Sequence, residues 1–179
     1  IPTVHRRTIS KFKAINVPQV RGKGEYDLIW ERHPGTLGLL DGDAGFPPIE
    51  TLQGEAQEGS RFAIIYPNSM IAMTIDAMWS FECHPTGAES CRVVLTSCFP
   101  VSRFDRADFE QIAANYYKRQ DIVVEEDNQI AVVQQQGLRS PLARPGRFSA
   151  KEPIVHSLDN WVLDRVVGPS PQPRLKAVG

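Results

Sequence analysis

Val124-Glu-Glu-Asp-Asn-Gln-Ile-Ala-Val-Val-Gln-Gln-Gln-Gly-Leu-Arg-Ser-Pro-Leu-Ala-Arg-Pro-Gly-Arg-Phe-Ser-Ala-Lys-Glu152 decides how the chain reads. Residues 106–136, which run into it, hold no Pro or Gly. That predicts one long helix, and Gly137 is the residue type most often found just past a helix end. On that helix Asp127 shares a face with Val123 and Val124 before it and Ile130 and Ala131 after it, at helical spacing. A carboxylate buried on an apolar stripe must be protonated, paired with a cation or bound to a metal. Pairing with an Arg, or capping a neighbouring element, are the ordinary outcomes. Glu125 and Glu126 point elsewhere and read as solvated.

Working outward, Asp105 or Asp108 is placed to cap this helix, and Tyr116 falls on the Asp127 side. Residues 61–67, 69–83 and 90–99 read as three antiparallel strands, with Phe62, Ile64 and Tyr66 alternating in the first. Pro67-Asn68 and His84 to Gly87 supply the turns. Met70, Met73, Met78 and Trp79 read as core rather than as a pocket. Residues 24–32 form a further strand with Tyr26, Leu28 and Trp30 on one face. The stretch 33–60 is a Gly- and Pro-rich loop that either covers a site or is mobile. It contains His33, which has no companion carboxylate in a recognisable frame. Near the front, Thr3 is placed to cap a short helix carrying His5. Glu152-Pro153 opens a last helix through about Val166, with His156 on it. Residues 168–179 read as a Pro-rich disordered tail, leaving 1–167 as one domain.

The chain has 179 residues, 41% of them hydrophobic, and a net charge of −1. This suits a globular domain with a core of its own and gives no basic stripe for nucleic acid. No apolar run is long enough to cross a bilayer. Cys83, Cys91 and Cys98 make an odd count without a disulfide pattern, as expected for reduced thiols in a cytosol. Cys83-His84 with Cys91 lacks the paired spacing of a structural zinc site. The chain starts Ile-Pro-Thr-Val-His without an initiator Met, which reads as a fragment.

Glu126-Asp127, then Gln134 to Ser140, then Pro145-Gly146-Arg147 and Glu152, resemble the C-terminal part of Rieske-type ring-hydroxylating oxygenase α subunits. Pro2-Thr3-Val4-His5 resembles the end of that family's iron-ligand phrase, and Tyr66-Pro67-Asn68 its aromatic-Pro-Asn hairpin. Arg6 departs from the Pro common after the second ligand. The resemblance implies an α+β fold, an antiparallel sheet gripping a long C-terminal helix, the helix-grip or START-like arrangement. It implies a mononuclear Fe(II) held by two His and one carboxylate, with His5 as the second imidazole and Asp127 as the carboxylate. The first His would fall one residue before Ile1.

Further implications of the resemblance concern the rest of a larger protein. The [2Fe-2S] cluster would sit in a missing N-terminal Rieske domain, since no Cys-x-His followed by Cys-x-x-His occurs here. Electrons would come from NAD(P)H through a reductase or ferredoxin, and O2 would hydroxylate an aromatic or other small organic substrate. The full-length protein would be a cytoplasmic homotrimer or α3β3 assembly. The fragment alone would bind iron weakly and be inactive. The competing expectation is a non-catalytic small-molecule or lipid-binding module of the same fold; a domain that only makes interactions, with no ligand, is the third.

Overall fold

The computed structural model describes residues 4–5, 8, 15–16, 20–21, 24–149 and 152–168. Its frame is one antiparallel sheet. The strands are β1 (Ile15–Asn16), β2 (Val20–Arg21), β3 (Tyr26–Arg32), β4 (Ser60–Ile65), β5 (Ser69–Met73), β6 (Met78–Gly87) and β7 (Ser90–Cys98). Their order is β1-β3-β4-β5-β6-β7, with β2 also paired to β3. Two helices follow, α1 (Phe109–Leu138) and α2 (Pro153–Val166). The fold is α+β, a sheet with a long helix across one face, as the resemblance implies.

The expected long strand over 69–83 is two strands. Thr74 to Ala77 turns the chain back, with the Thr74 N–H donating to the Ala77 carbonyl at 2.9 Å. The alternation of small and apolar residues runs unbroken through this turn, so hydrophobicity alone could not reveal it. What breaks the strand is Asp76, which is almost fully buried. It accepts from the hydroxyls of Thr74 at 2.7 Å and Thr36 at 2.6 Å. A carboxylate answered by local hydroxyls is a turn-former, not a strand residue.

Registry sets which side chains meet α1. Phe62 pairs with Ala72, Ala72 with Trp79, and Phe81 with Leu95. With Leu37 these form one apolar cluster. Trp79 and Met70 lie on this face; Met73 and Met78 pair with each other on the opposite one. Tyr26, Leu28 and Trp30 do share a face of β3, yet Tyr26 is exposed. The buried side chain of that strand is Asp27, which accepts the hydroxyl proton of Tyr66.

α1 begins at Phe109 and includes Gly137 in its last turn. Asp108 stands at its N-cap position but makes no cap hydrogen bond, because its carboxylate is taken by Arg106 at 2.8 and 2.7 Å. The buried stripe is Phe109, Ala113, Tyr116, Arg119, Gln120 and Val123. Phe46 stacks on Phe109 and Tyr116 at ring separations of 5.7 and 5.6 Å. The Phe46 N–H donates to the Tyr116 hydroxyl at 3.0 Å. The stretch 33–60 is thus packed against the helix: Leu37, Leu39 and Phe46 are all buried. Beyond Val123 the helix is barely covered. Ile130, Val132, Val133 and Leu138 are exposed.

α2 has Pro153 in its first turn, where a missing N–H costs nothing. Its Trp161 lies 5.7 Å from the Tyr66 ring and donates to Glu25 at 2.9 Å. Thr3 lies outside the described residues, as does all of the expected tail over 168–179 except Gly168.

Candidate metal centre

His5 and Asp127, 122 positions apart in the chain, come together. His5 Nε2 lies 3.1 Å from Asp127 Oδ1. The His5 ring is buried, 7% exposed as a residue. Its other nitrogen, Nδ1, lies 3.0 Å from Glu126 Oε2. The Thr8 hydroxyl donates to the same Glu126 oxygen at 2.8 Å. A backbone bond from the Thr8 N–H to the His5 carbonyl, 3.1 Å, folds this segment into a turn. The local sequence thus presents His5 and Thr8 together to two adjacent carboxylates of α1.

Glu126 and Asp127 both differ from what the sequence predicts. Glu126 is not a solvated bystander: its side chain is 23% exposed and holds His5. Asp127 is not buried: its side chain is 55% exposed. Adjacent helix positions point about 100° apart, so one ring inserted between them touches both carboxylates. Asp127 does continue the inward stripe, four residues beyond Val123, but the helix has left the sheet's cover by that point. Ile130 and Ala131 are exposed as well.

The arrangement has a chemical requirement. Glu126 is acceptor-only when ionised, so the Nδ1 facing it carries the proton. In the neutral ring Nε2 then presents a lone pair to the Asp127 carboxylate. Two lone-pair donors at 3.1 Å need a cation between them. A second proton would make an imidazolium clamped by two carboxylates. A metal ion would use Nε2 and Oδ1 as ligands, with Glu126 orienting the ring from behind, as a carboxylate commonly does for a metal-bound His. The donor set therefore fits a divalent metal at two positions.

Among the described residues no group of three His, Cys, Asp or Glu side chains is arranged to hold a metal. The other histidines are engaged elsewhere. His33 Nε2 lies 2.9 Å from the Ser60 hydroxyl, His84 Nε2 3.3 Å from Glu82, and His156 Nε2 3.1 Å from Asn160. Cys83 and Cys91 are exposed and Cys98 half-buried, all three free. Burial, then Cys91 nearby, pushes the Cys83 thiol up.

Sequence reasoning missed Arg119. It sits on the inward stripe, three residues past Tyr116, and is 3% exposed. Its guanidinium lies over the Trp79 ring at 4.9 Å. Burial lowers its pKa to about 10, with the Asp127 carboxylate pulling the other way. It remains a cation at neutral pH. Its spacing from Tyr116 and Val123 was the signal that could have found it.

No curated protein matches the chain. Residues 1–168 match the family described as ring hydroxylating alpha subunit (catalytic domain). The chain belongs to that family, an oxygenase domain of the kind that works with mononuclear iron.

Proposed function

We propose that His5 and Asp127 are two of the three protein ligands of a mononuclear Fe(II), and that the chain is the catalytic part of a Rieske-type oxygenase. The observation that carries this is the His5 ring between Glu126 and Asp127, with Nε2 facing Asp127 Oδ1 at 3.1 Å. The third ligand is a second imidazole from outside these 179 residues. Bound by His5, Asp127 and that imidazole, Fe(II) would supply the activation of O2 for oxidation of the substrate.

The chain's own residues do the rest. Glu126 fixes the His5 tautomer so that Nε2 is the free donor. Thr8 shares the Glu126 charge and ties the front turn to α1. The apolar sheet face under α1, with Trp79, Phe81 and Leu95, keeps water away from a small organic substrate. A [2Fe-2S] domain and a reductase or ferredoxin would supply electrons derived from NAD(P)H, in a cytoplasmic oligomer of the complete protein. Residues 1–167 form the catalytic domain. Taken alone, the piece binds iron weakly and does not turn over.

The test is a Co(II) titration of the chain followed by visible absorption, with and without free imidazole to fill the open ligand position. The expected result is weak binding that imidazole tightens. His5→Ala and Asp127→Asn should abolish both. Binding unaffected by His5→Ala overturns the reading. Absent metal binding together with retained binding of apolar small molecules would point to a carrier of the same fold.

A further inference from the structure

We infer that Arg119 is the recognition group for a carboxylate on the substrate, so that the site takes a small organic acid with an apolar body. The inference rests on the oxygenase reading only in calling the ligand a substrate.

The guanidinium has one satisfied edge and one open one. Its Nη1 donates to Gln120 Oε1 at 2.9 Å. Its Nε is buried and has no hydrogen-bond partner. Nη2 makes no bond to a described residue either. Nε and Nη2 together form the edge that grips a carboxylate through two parallel N–H···O bonds. Arg103 is the useful contrast. Its Nε is also unpartnered, but its other nitrogens bond Glu50 at 3.3 Å and the Pro47 and Pro48 carbonyls at 3.3 Å. Arg103 is a pin between loop and helix start. Arg119 pins nothing.

An unpaired buried cation is expensive. A buried charged group left unanswered is strongly disfavoured, and stacking on Trp79 offsets only part of that while satisfying no N–H. Asp127 lies near enough to favour the charged guanidinium but forms no ion pair with it. Asp127 is also claimed by His5. A metal dication at that place would repel Arg119 further. One external anion answers both problems.

The surroundings suit the remainder of such a molecule. Trp79, under the guanidinium, belongs to the cluster that includes Phe62, Phe81 and Leu95. Phe81 also lines an apolar trough of about 460 Å³ with Ile64, Met70 and Pro85, a size that holds a ring-sized ligand. Phe81 thus links the Trp79 cluster, where the carboxylate would be held, to an apolar trough on the same face of the sheet.

The test needs no metal. The metal-free chain is titrated with benzoate and with benzamide, its neutral near-isostere, by ligand-observed NMR and calorimetry. Benzoate should bind about tenfold to a hundredfold more tightly, the worth of one charge-assisted pair. Arg119→Gln should erase the preference while leaving benzamide binding unchanged, which also reports an intact fold. Arg119→Lys should keep part of it. Equal binding of the two ligands by the unaltered chain, a preference that survives Arg119→Gln, or no benzoate binding up to about 10 mM would each overturn the inference. The two readings fail separately. A benzoate preference with no metal response at His5 sinks the oxygenase reading alone, and a normal metal response without the preference sinks the Arg119 assignment alone.

Discussion

Tyr116 donates its hydroxyl proton to Asp76 across 2.6 Å, and both side chains are almost fully buried. The same hydroxyl accepts from the Phe46 N–H. One phenol thus joins α1, the β5–β6 turn and the 33–60 stretch. Tyr116→Phe removes the donor to a buried carboxylate and the acceptor for a buried amide. It should cost about 2–4 kcal/mol in chemical denaturation, the sum of two such losses. A change below about 0.5 kcal/mol would mean that the network is not holding the fold together.

Tyr116 also sets an alkaline limit. Burial, then the Asp76 carboxylate, pushes its pKa far above the ordinary tyrosine value. The unfolded chain releases this proton near pH 10 and the folded one does not. The stabilisation is therefore complete below about pH 10 and is lost as pH rises beyond it. Denaturation midpoints measured from pH 8 to 11 should fall above pH 10, and Tyr116→Phe should flatten that fall.

Arg119 carries the opposite sign. Its pKa is depressed in the folded protein, to about 10, so the buried charge costs stability at neutral pH. Arg119→Met, of similar length and without charge, should leave the fold unharmed or stabilise it by about 1–3 kcal/mol. Marked destabilisation in thermal or urea unfolding would show that the cation holds the fold together. Stability gained by removing a group is the pattern expected of a residue kept for binding.

Glu126 should matter to metal without touching it. Glu126→Gln keeps the size of the side chain but weakens the hold on His5 Nδ1. Metal affinity should fall about 10–100-fold, the usual consequence of losing such a partner. Unchanged affinity in the Co(II) titration would remove Glu126 from the site. Acidification should release the metal in every version, since a ligating imidazole must be unprotonated.

Gly59 tests the frame. Its φ is +69°, and a Cβ there would run into the Glu31 carbonyl. Its N–H donates to the His33 carbonyl at 3.1 Å. Both obstacles are backbone, so no side chain can yield. Gly59→Ala should cost about 2 kcal/mol or more, read as a lowered denaturation midpoint. A neutral result would mean that the 33–60 stretch can re-route.

Local chemistry explains what could be read beforehand. The absence of Pro and Gly over 106–136 announced α1 to within three residues at each end, and Glu152-Pro153 announced α2. The likenesses at Pro2-Thr3-Val4-His5 and around Glu126-Asp127 named two side chains, His5 and Asp127, that lie 3.1 Å apart. Three things escaped because each depends on a distant partner. Asp76 is kept buried in its turn by Thr36 and Tyr116, far off in the chain, as well as by the local Thr74. Glu126 turned inward only because His5 and Thr8 arrive beside it. Arg119 stood at the spacing of the buried stripe, but only the Trp79 ring from a distant strand shows that a cation is kept there.

The His5–Glu126 contact joins residues 121 positions apart, but Ile15 is already tied to β3. Docking His5 therefore closes a ring of only about ten residues, at about 2 kcal/mol beyond a constant, which the hydrogen bonds of His5 and Thr8 barely meet. A metal shared by His5 and Asp127 would act as a clasp on that ring. The front of the polypeptide should then stand open or shut according to how much metal the solution contains, and resistance to clipping by a protease would serve as a gauge of metal loading.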